Sequence, residues 1–306
     1  MNKVIVTGAA GFIGSHCLPL LVAEGYEVHA ITTRKVRTED RNIIWHCLNL
    51  LDSRMIEGLF SEIRSSHLLH FAWTTEHGTY WNSMDNFDWL KAGVTILQKF
   101  ADAGGQRIVM AGTCAEYDWR YGFCSEEITP LNPHSVYGNC KNSLQHLTAS
   151  FCRQTGMSWA WGRVFFLYGP HENPLRLVPS VINALLQNRE ARCTSGTQIR
   201  DYLYVKDVAS AFVKVLGHGF NGPLNIASGK AVRVGDVVSA IAEQAGRPDL
   251  IHYGALAEKR EDPPVILADV RRLAEVIGWK PEYDLKKGIA ELIPYWRDAS
   301  GIVISK

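Results

Sequence analysis

The chain has 306 residues, with 32 Lys and Arg against 31 Asp and Glu, a formal net charge of +1, 46% hydrophobic and 21% charged residues. This length suggests about two domains, each large enough for its own core. A near-neutral balance without a basic patch or acidic tail argues against nucleic acid as the main partner.

The seven cysteines, Cys17, Cys47, Cys114, Cys124, Cys140, Cys152 and Cys193, form no CxxC pair and no zinc-like spacing. They read as free thiols of a reducing compartment. No apolar run approaches the roughly 20 residues of a membrane span. Residues 1–14 lead straight into a strand and turn without a signal-peptide pattern, so a cytoplasmic protein is expected.

In chain order, apolar stretches at 4–7, 27–31, 43–46, 68–71 and 107–111 predict strands, and helical patterns occupy 12–24, 53–64 and 84–103. Such alternation implies a parallel, doubly wound sheet. Pro19 falls inside the first helix, where it costs a hydrogen bond. A helix over 134–155 and a strand over 159–165 follow. Beyond Tyr168-Gly169-Pro170 the loops lengthen, with helices predicted near 175–188, 207–216, 234–245, 269–276 and 285–297, short strands over 191–204 and a strand over 223–227. The expected architecture is an α/β, Rossmann-type doubly wound parallel sheet with a smaller, interleaved C-terminal α/β domain. The expected division is 1–165 plus about 196–230 for the first unit, and about 166–195 plus 231–306 for the second.

Thr7-Gly8-Ala9-Ala10-Gly11-Phe12-Ile13-Gly14 joins the first strand to the first helix. Gly8 allows a tight turn, Gly11 a close backbone approach to a pyrophosphate, and Gly14 close helix–sheet packing, while the helix N-terminus offers amides and a positive dipole end. This is a dinucleotide-binding pattern. The second strand runs into Thr32-Thr33-Arg34-Lys35, with Arg37 beyond. The carboxylate that selects NAD is missing, and hydroxyls with a guanidinium suit a 2′-phosphate, so NADP(H) is favoured over NAD(H). Asn49 reads as a turn asparagine before a helix capped by Asp52.

Tyr137-Gly138-Asn139-Cys140-Lys141 puts a phenol and an ammonium on one helix face. The ammonium is expected to lower the phenol's pKa, making it an acid–base group. Thr113 ends the fifth strand, upstream. It reads either as a hydroxyl for the reacting oxygen or as a strand-end group satisfying local backbone.

Together the GxxGxxG turn and the YxxxK pair resemble the extended short-chain dehydrogenase/reductase superfamily. Further ordered segments share the resemblance: His70-Phe71-Ala72-Trp73, Arg163-Val164-Phe165-Phe166-Leu167-Tyr168-Gly169-Pro170, Arg200-Asp201-Tyr202-Leu203-Tyr204-Val205-Lys206-Asp207-Val208, and Asn225-Ile226-Ala227-Ser228-Gly229. The resemblance implies Thr113, Tyr137 and Lys141 as catalytic. It implies Gly8, Gly11, Phe12, Ile13, Gly14, Thr33, Arg34, Asn49, Leu50, Phe71, Ala72, Trp73, Tyr137 and Lys141 around the cofactor. It implies Thr113, Cys114, His171, Arg200 and Arg260 around a nucleoside-diphosphate sugar, the two arginines on its diphosphate. The other reading of Arg200 is an ion pair with Asp207, and that of Arg260 a pair with a neighbouring acid. Phe166 stands where relatives carry an asparagine on the nucleotide sugar. No metal and no membrane is expected, and a homodimer through the YxxxK helix is.

Relatives that dehydrate carry extra acid–base residues directly after the threonine, but Cys114 and Ala115 stand there and Glu116 comes one place late. The remaining activities are reduction of a 4-keto-6-deoxysugar, which the basic segment at Arg34 favours, epimerisation, and a combined epimerase-reductase. The last is suggested by Cys114 and by His171, which stands where such enzymes carry an epimerisation histidine; the other reading of His171 is a loop histidine lining the cleft. A non-catalytic dinucleotide sensor would have lost Tyr137 or Lys141, and both are present.

Overall fold

The computed structural model describes residues 2–36, 40–258 and 262–299. Among these, seven strands form one parallel sheet: Lys3–Thr7 (β1), Glu27–Thr32 (β2), Ile43–Cys47 (β3), His67–His70 (β4), Arg107–Thr113 (β5), Ser158–Val164 (β6) and Gly222–Ile226 (β7). Their order across the sheet is β7-β6-β5-β4-β1-β2-β3. The sheet is the doubly wound one that strand–helix alternation predicts. The order reverses beside β1, so a crevice opens at the carboxyl ends of β1 and β4, where such sheets bind ligands.

Both faces are covered, which explains why the strands read as continuous apolar runs. On one face Val4, Val6, Leu69, Val109 and Ala111 pack with residues of helices Gly14–Ala23 (α1) and Val205–Leu216 (α6). On the other, Ile5, Leu68, Ile108 and Met110 meet Ser53–Glu62 (α2), Asp85–Asp102 (α3) and Val136–Thr155 (α4). The period of two along each strand decides which core a residue joins. A separate core gathers Leu177–Leu186 (α5), Val234–Ala245 (α7) and Leu285–Ala299 (α8) around Val181, Ile241, Leu292 and Trp296.

A smaller four-stranded sheet lies beside it, ordered Val232–Arg233, Ile199–Arg200, Val265–Ala268, Phe123–Cys124. It draws Phe123–Cys124 from the first half of the chain. The stretch predicted as a helix over 269–276 holds a π-helical turn at Arg272–Val276.

Pro19 lies inside α1 and Pro294 inside α8, and both are on exposed faces. There the carbonyl that a proline strips of its partner can bond to water, so each helix continues through it. Pro19→Ala restores a helical amide and a better helix former. It is expected to raise stability by about 1–3 kcal/mol, read as a higher urea midpoint with an unchanged m-value; a lower midpoint would show that the proline is preferred there.

Candidate active site

The glycine turn fits against the ends of its neighbours. Gly8 has φ 65°, and a Cβ there would lie 2.8 Å from the Ala72 amide nitrogen. A Cβ on Gly14 would lie 2.4 Å from the Gly8 carbonyl oxygen. Gly14 therefore lets α1 press onto the turn that follows β1. The first turn of α1 has no side-chain cap; its Ser15 and His16 amides donate to the Gly11 and Ile13 carbonyls, while Phe12, Ile13 and Gly14 line the crevice at the positive end of the helix, where an anion is favoured. Thr7 holds the opposite lip: its hydroxyl accepts from the Phe71 and Ala72 amides and meets His70 Nδ1 at 2.7 Å. Burial pushes His70 down to about 3, so it is neutral.

Gly8, Gly11, Phe12, Ile13, Gly14, Phe71, Ala72, Trp73, Thr113, Tyr137 and Lys141 all line one cavity of about 260 Å³. At the far end of the crevice, Thr33 and Arg34 are exposed, and the Thr32 hydroxyl accepts from the Arg34 amide. Arg37 lies outside the described residues. Asn49 accepts from the Leu51 amide through its side-chain oxygen before α2, which Asp52 caps, a turn role that does not use its side-chain nitrogen. Leu50 is buried in the core, leaving only its backbone for a ligand. These features fit a dinucleotide: a cradle that side chains would fill, a helix N-terminus facing it, and exposed hydroxyl and guanidinium groups at the distal end.

Thr113, Tyr137 and Lys141 meet where β5 ends against α4. The Ser135 hydroxyl caps α4 by accepting from the Gly138 amide. A Cβ on Gly138 would lie 2.5 Å from the Ala115 carbonyl oxygen, so this glycine lets the helix start press against the Thr113 turn. Tyr137 is buried among Trp73, Tyr80 and Trp81. Burial pushes its phenol well above the ordinary value, while the Thr113 hydroxyl pulls the other way by a hydrogen bond. On balance the phenol is raised, whereas the spacing with Lys141 suggested a lowered one. The Lys141 ammonium sits 3.9 Å from the Trp73 ring centroid and donates to the Ala111 carbonyl at 2.9 Å. Burial brings Lys141 down to about 7, with the Glu116 charge opposing.

Glu116 is fully buried and pairs with buried Arg163 at 2.6 Å. It also accepts from Trp161 Nε1 and from the Thr113 amide at 2.8 Å. Thr113 in turn caps the short helix at Cys114–Glu116 with its hydroxyl. Thr113 thus satisfies local backbone, and it also lines the cavity.

A second cavity of about 750 Å³ adjoins the first and shares Tyr80, Thr113, Phe165, Leu167 and Arg176 with it. Its walls are largely aromatic, with Trp81, Trp119, Phe166 and Tyr202 among them. Cys114 lines it, and burial pushes that thiol up, away from a reactive thiolate. His171 lines neither cavity: it is exposed, with φ 69°, and its ring lies against His16 and Tyr295. The next residue, Glu172, lines the large cavity instead. Arg200 is buried and pairs at 2.6 Å with Asp262, a cavity residue, instead of with Asp207, whose carboxylate accepts from the Glu282 and Tyr283 amides. Its guanidinium also lies over Phe166, 5.4 Å from the centroid. Arg260 lies outside the described residues. Sequence reasoning missed Tyr80, Glu172 and Arg176, which come from loops and a helix start with no spacing to mark them.

Residues 4–227 match the NAD dependent epimerase/dehydratase family. A UDP-glucose 4-epimerase of Rhizobium meliloti is 27% identical over 93% of this chain and 94% of its own length. The CDP-abequose synthase of Salmonella muenchen is 25% identical over 95% of this chain and 97% of its own. Among solved structures, MoeE5 in complex with UDP-glucuronic acid and NAD superposes with a TM-score of 0.85 at 30% identity, covering 97% of this chain and 100% of that one. The UDP-glucose 4-epimerase of Thermotoga maritima with UDP-glucose gives 0.86 at 25% identity, covering 97% and 99%.

Two outcomes are expected from this geometry. Glu116→Gln leaves the Arg163 charge buried without its counter-charge, which should cost about 3–5 kcal/mol in a denaturant melt; a loss below about 1 kcal/mol would show that the pair carries little. Lys141 titrates near 7 when folded against 10.5 ordinarily, so the folded chain sheds this proton first. Below pH 7 the fold bears a buried charge, and between 7 and 10.5 stability rises with pH through this group. Lys141→Met should therefore raise the melting temperature at pH 6 by more than at pH 9. An equal gain at both would refute the assignment.

Proposed function

The chain belongs to the NAD dependent epimerase/dehydratase family, and we propose that it uses NADPH to reduce the 4-keto group of a nucleoside-diphosphate 6-deoxysugar. The observation that carries this reading is the meeting of Thr113, Tyr137 and Lys141 at the junction of the dinucleotide crevice and the aromatic cavity. Gly8, Gly11, Phe12, Ile13, Gly14, Phe71, Ala72 and Trp73 hold the cofactor's pyrophosphate and nicotinamide half, with Leu50 and Asn49 near the adenine. Thr33 and Arg34 receive the 2′-phosphate. The dinucleotide supplies the hydride.

The sugar lies in the large cavity, its keto oxygen toward Thr113 and Tyr137. Thr113 hydrogen-bonds that oxygen, and Tyr137 gives it the phenol proton as charge develops. Burial keeps Tyr137 in the protonated form that a reduction requires. Lys141 holds the nicotinamide ribose and draws its charge support from Glu116. The aromatic walls suit a sugar whose C6 is a methyl group. Dehydration is disfavoured because Glu116, the one acid after Thr113, is consumed by Arg163. Arg200 anchors the diphosphate by sharing its guanidinium between substrate and Asp262, and Arg260 is the second candidate.

In the family, MoeE5 is seen with UDP-glucuronic acid and NAD, and relatives named UDP-glucose 4-epimerase favour epimerisation as the second reading. The epimerase-reductase is less supported, since the Cys114 thiol is held protonated and His171 lines neither cavity. The protein is proposed to act as a homodimer through α3 and α4, where Met84, Phe87 and Leu147 are exposed apolar side chains. No described helix is long and apolar enough to cross a membrane.

The test is cofactor stoichiometry with a nucleoside-diphosphate 4-keto-6-deoxyhexose. One NADPH oxidised per product is expected, with tighter binding of NADPH than NADH that Arg34→Ala removes, and turnover down about 100-fold or more in Tyr137→Phe. Product without net NADPH oxidation would establish the epimerase. Deuterium from D₂O at C3 or C5 of the product would establish the epimerase-reductase.

A further inference from the structure

We propose that Glu172 is a specificity-determining residue of the large cavity, a carboxyl group that hydrogen-bonds a hydroxyl of the bound sugar. The inference rests on the nucleotide-sugar reading above.

The chain delivers this residue by a backbone device. His171 takes the left-handed conformation, φ 69°, uncommon for a residue with a Cβ. The turn closes with the Glu172 amide donating to the Gly169 carbonyl at 3.3 Å. It sends His171 outward against His16 and Tyr295, and Glu172 inward to the cavity. Glu172 is 5% exposed. Its Oε2 has no hydrogen-bond partner, and among the described residues no ion pair closes on the carboxyl. A buried polar atom left unpaired costs about 1–3 kcal/mol, a cost that a ligand hydroxyl would remove.

The electrostatics agree with that geometry. Three groups act on the carboxyl or feel it: Arg176, just before α5, which favours the ionised form, the Gly169 backbone, whose hydrogen bond does the same, and the Tyr202 phenol of the same cavity. Burial outweighs Arg176 and pushes Glu172 up to about 8. At neutral pH it is mainly a carboxylic acid, able to donate as well as accept. In a cavity walled by Tyr80, Trp81, Trp119, Phe165 and Phe166, such a group decides orientation, because apolar walls bind a sugar face without fixing its hydroxyls.

The test separates the sugar's contribution from the nucleotide's. UDP, dTDP, CDP and GDP are titrated calorimetrically, each alone and as the glucose conjugate, against the wild-type chain, Glu172→Gln, Glu172→Leu and Glu172→Ala. For the pair that binds, Leu and Ala are expected to reduce the affinity ratio of conjugate to free nucleotide by about 10-fold. Gln, which keeps a donor and an acceptor, should hold it within about 3-fold, and free-nucleotide affinity should stay unchanged in all three. An unaltered ratio in Leu and Ala, or equal weakening of both ligands, would overturn the inference while leaving the nucleotide-sugar reading standing. Failure of every conjugate to bind the wild-type chain would remove that reading and the inference together.

Discussion

The buried pair of Glu116 and Arg163 is the constraint on which the rest of the site depends. Neither side chain is more than 1% exposed, so both charges have lost their water and must be satisfied inside the protein. Glu116 takes bonds from Arg163, Trp161 and the Thr113 amide. Arg163 donates onward to the Tyr117 hydroxyl, which donates to Asn225, whose amide reaches the Cys124 and Asp269 carbonyls. The chain of bonds thus starts at the end of β5, crosses β6 and β7, and ends on the smaller sheet. A network in which each member is satisfied rigidifies what it touches, and here it touches Thr113 directly.

The same carboxylate sets the charge states nearby. Its negative charge favours the ammonium of Lys141 and disfavours a phenolate at Tyr137. Burial disfavours both charged forms. For Tyr137 the two effects add and keep the phenol; for Lys141 they oppose and leave the group near neutrality. A lysine balanced this way is costly to the bare fold and gains from any partner that restores solvation, the usual exchange of stability for function at an active site. With His70 neutral, little fixed charge opposes an anionic ligand in the crevice.

How much of this was legible in the sequence follows from how each part is built. The glycine turn, the strand alternation and the Tyr137–Lys141 spacing are local patterns, and each sits where it was read. Arg200 shows where local reading ends. Its acid partner is Asp262, 62 positions away, whereas the sequence offered only nearby Asp207. Tyr137 shows the same limit: spacing put an ammonium on the right face, but could not show how deeply the phenol would be buried or that Trp73 and the Ala111 carbonyl would meet the ammonium. At His171 the residue type pointed inward and one backbone angle reversed it, handing the cavity to Glu172.

The two halves of the site therefore differ in kind. The dinucleotide side is mostly backbone: the turn at the start of α1, glycines without side chains, and the strand ends that press on them. Backbone recognises what every dinucleotide shares, so this half carries no information about the substrate. The other side is assembled from side chains on loops after β4, β5 and β6 and from the start of α5, joined only by the fold. Loops on a rigid scaffold can change their residues without disturbing the sheet, and function is carried by the site rather than by the scaffold. A family fold can thus serve epimerases and a CDP-abequose synthase alike. In this chain the distinguishing choices are an aromatic cavity, an acid spent on structure at Glu116, and a second acid buried at Glu172. Thr113 lines both cavities, and Tyr137 and Lys141 line the smaller one beside it.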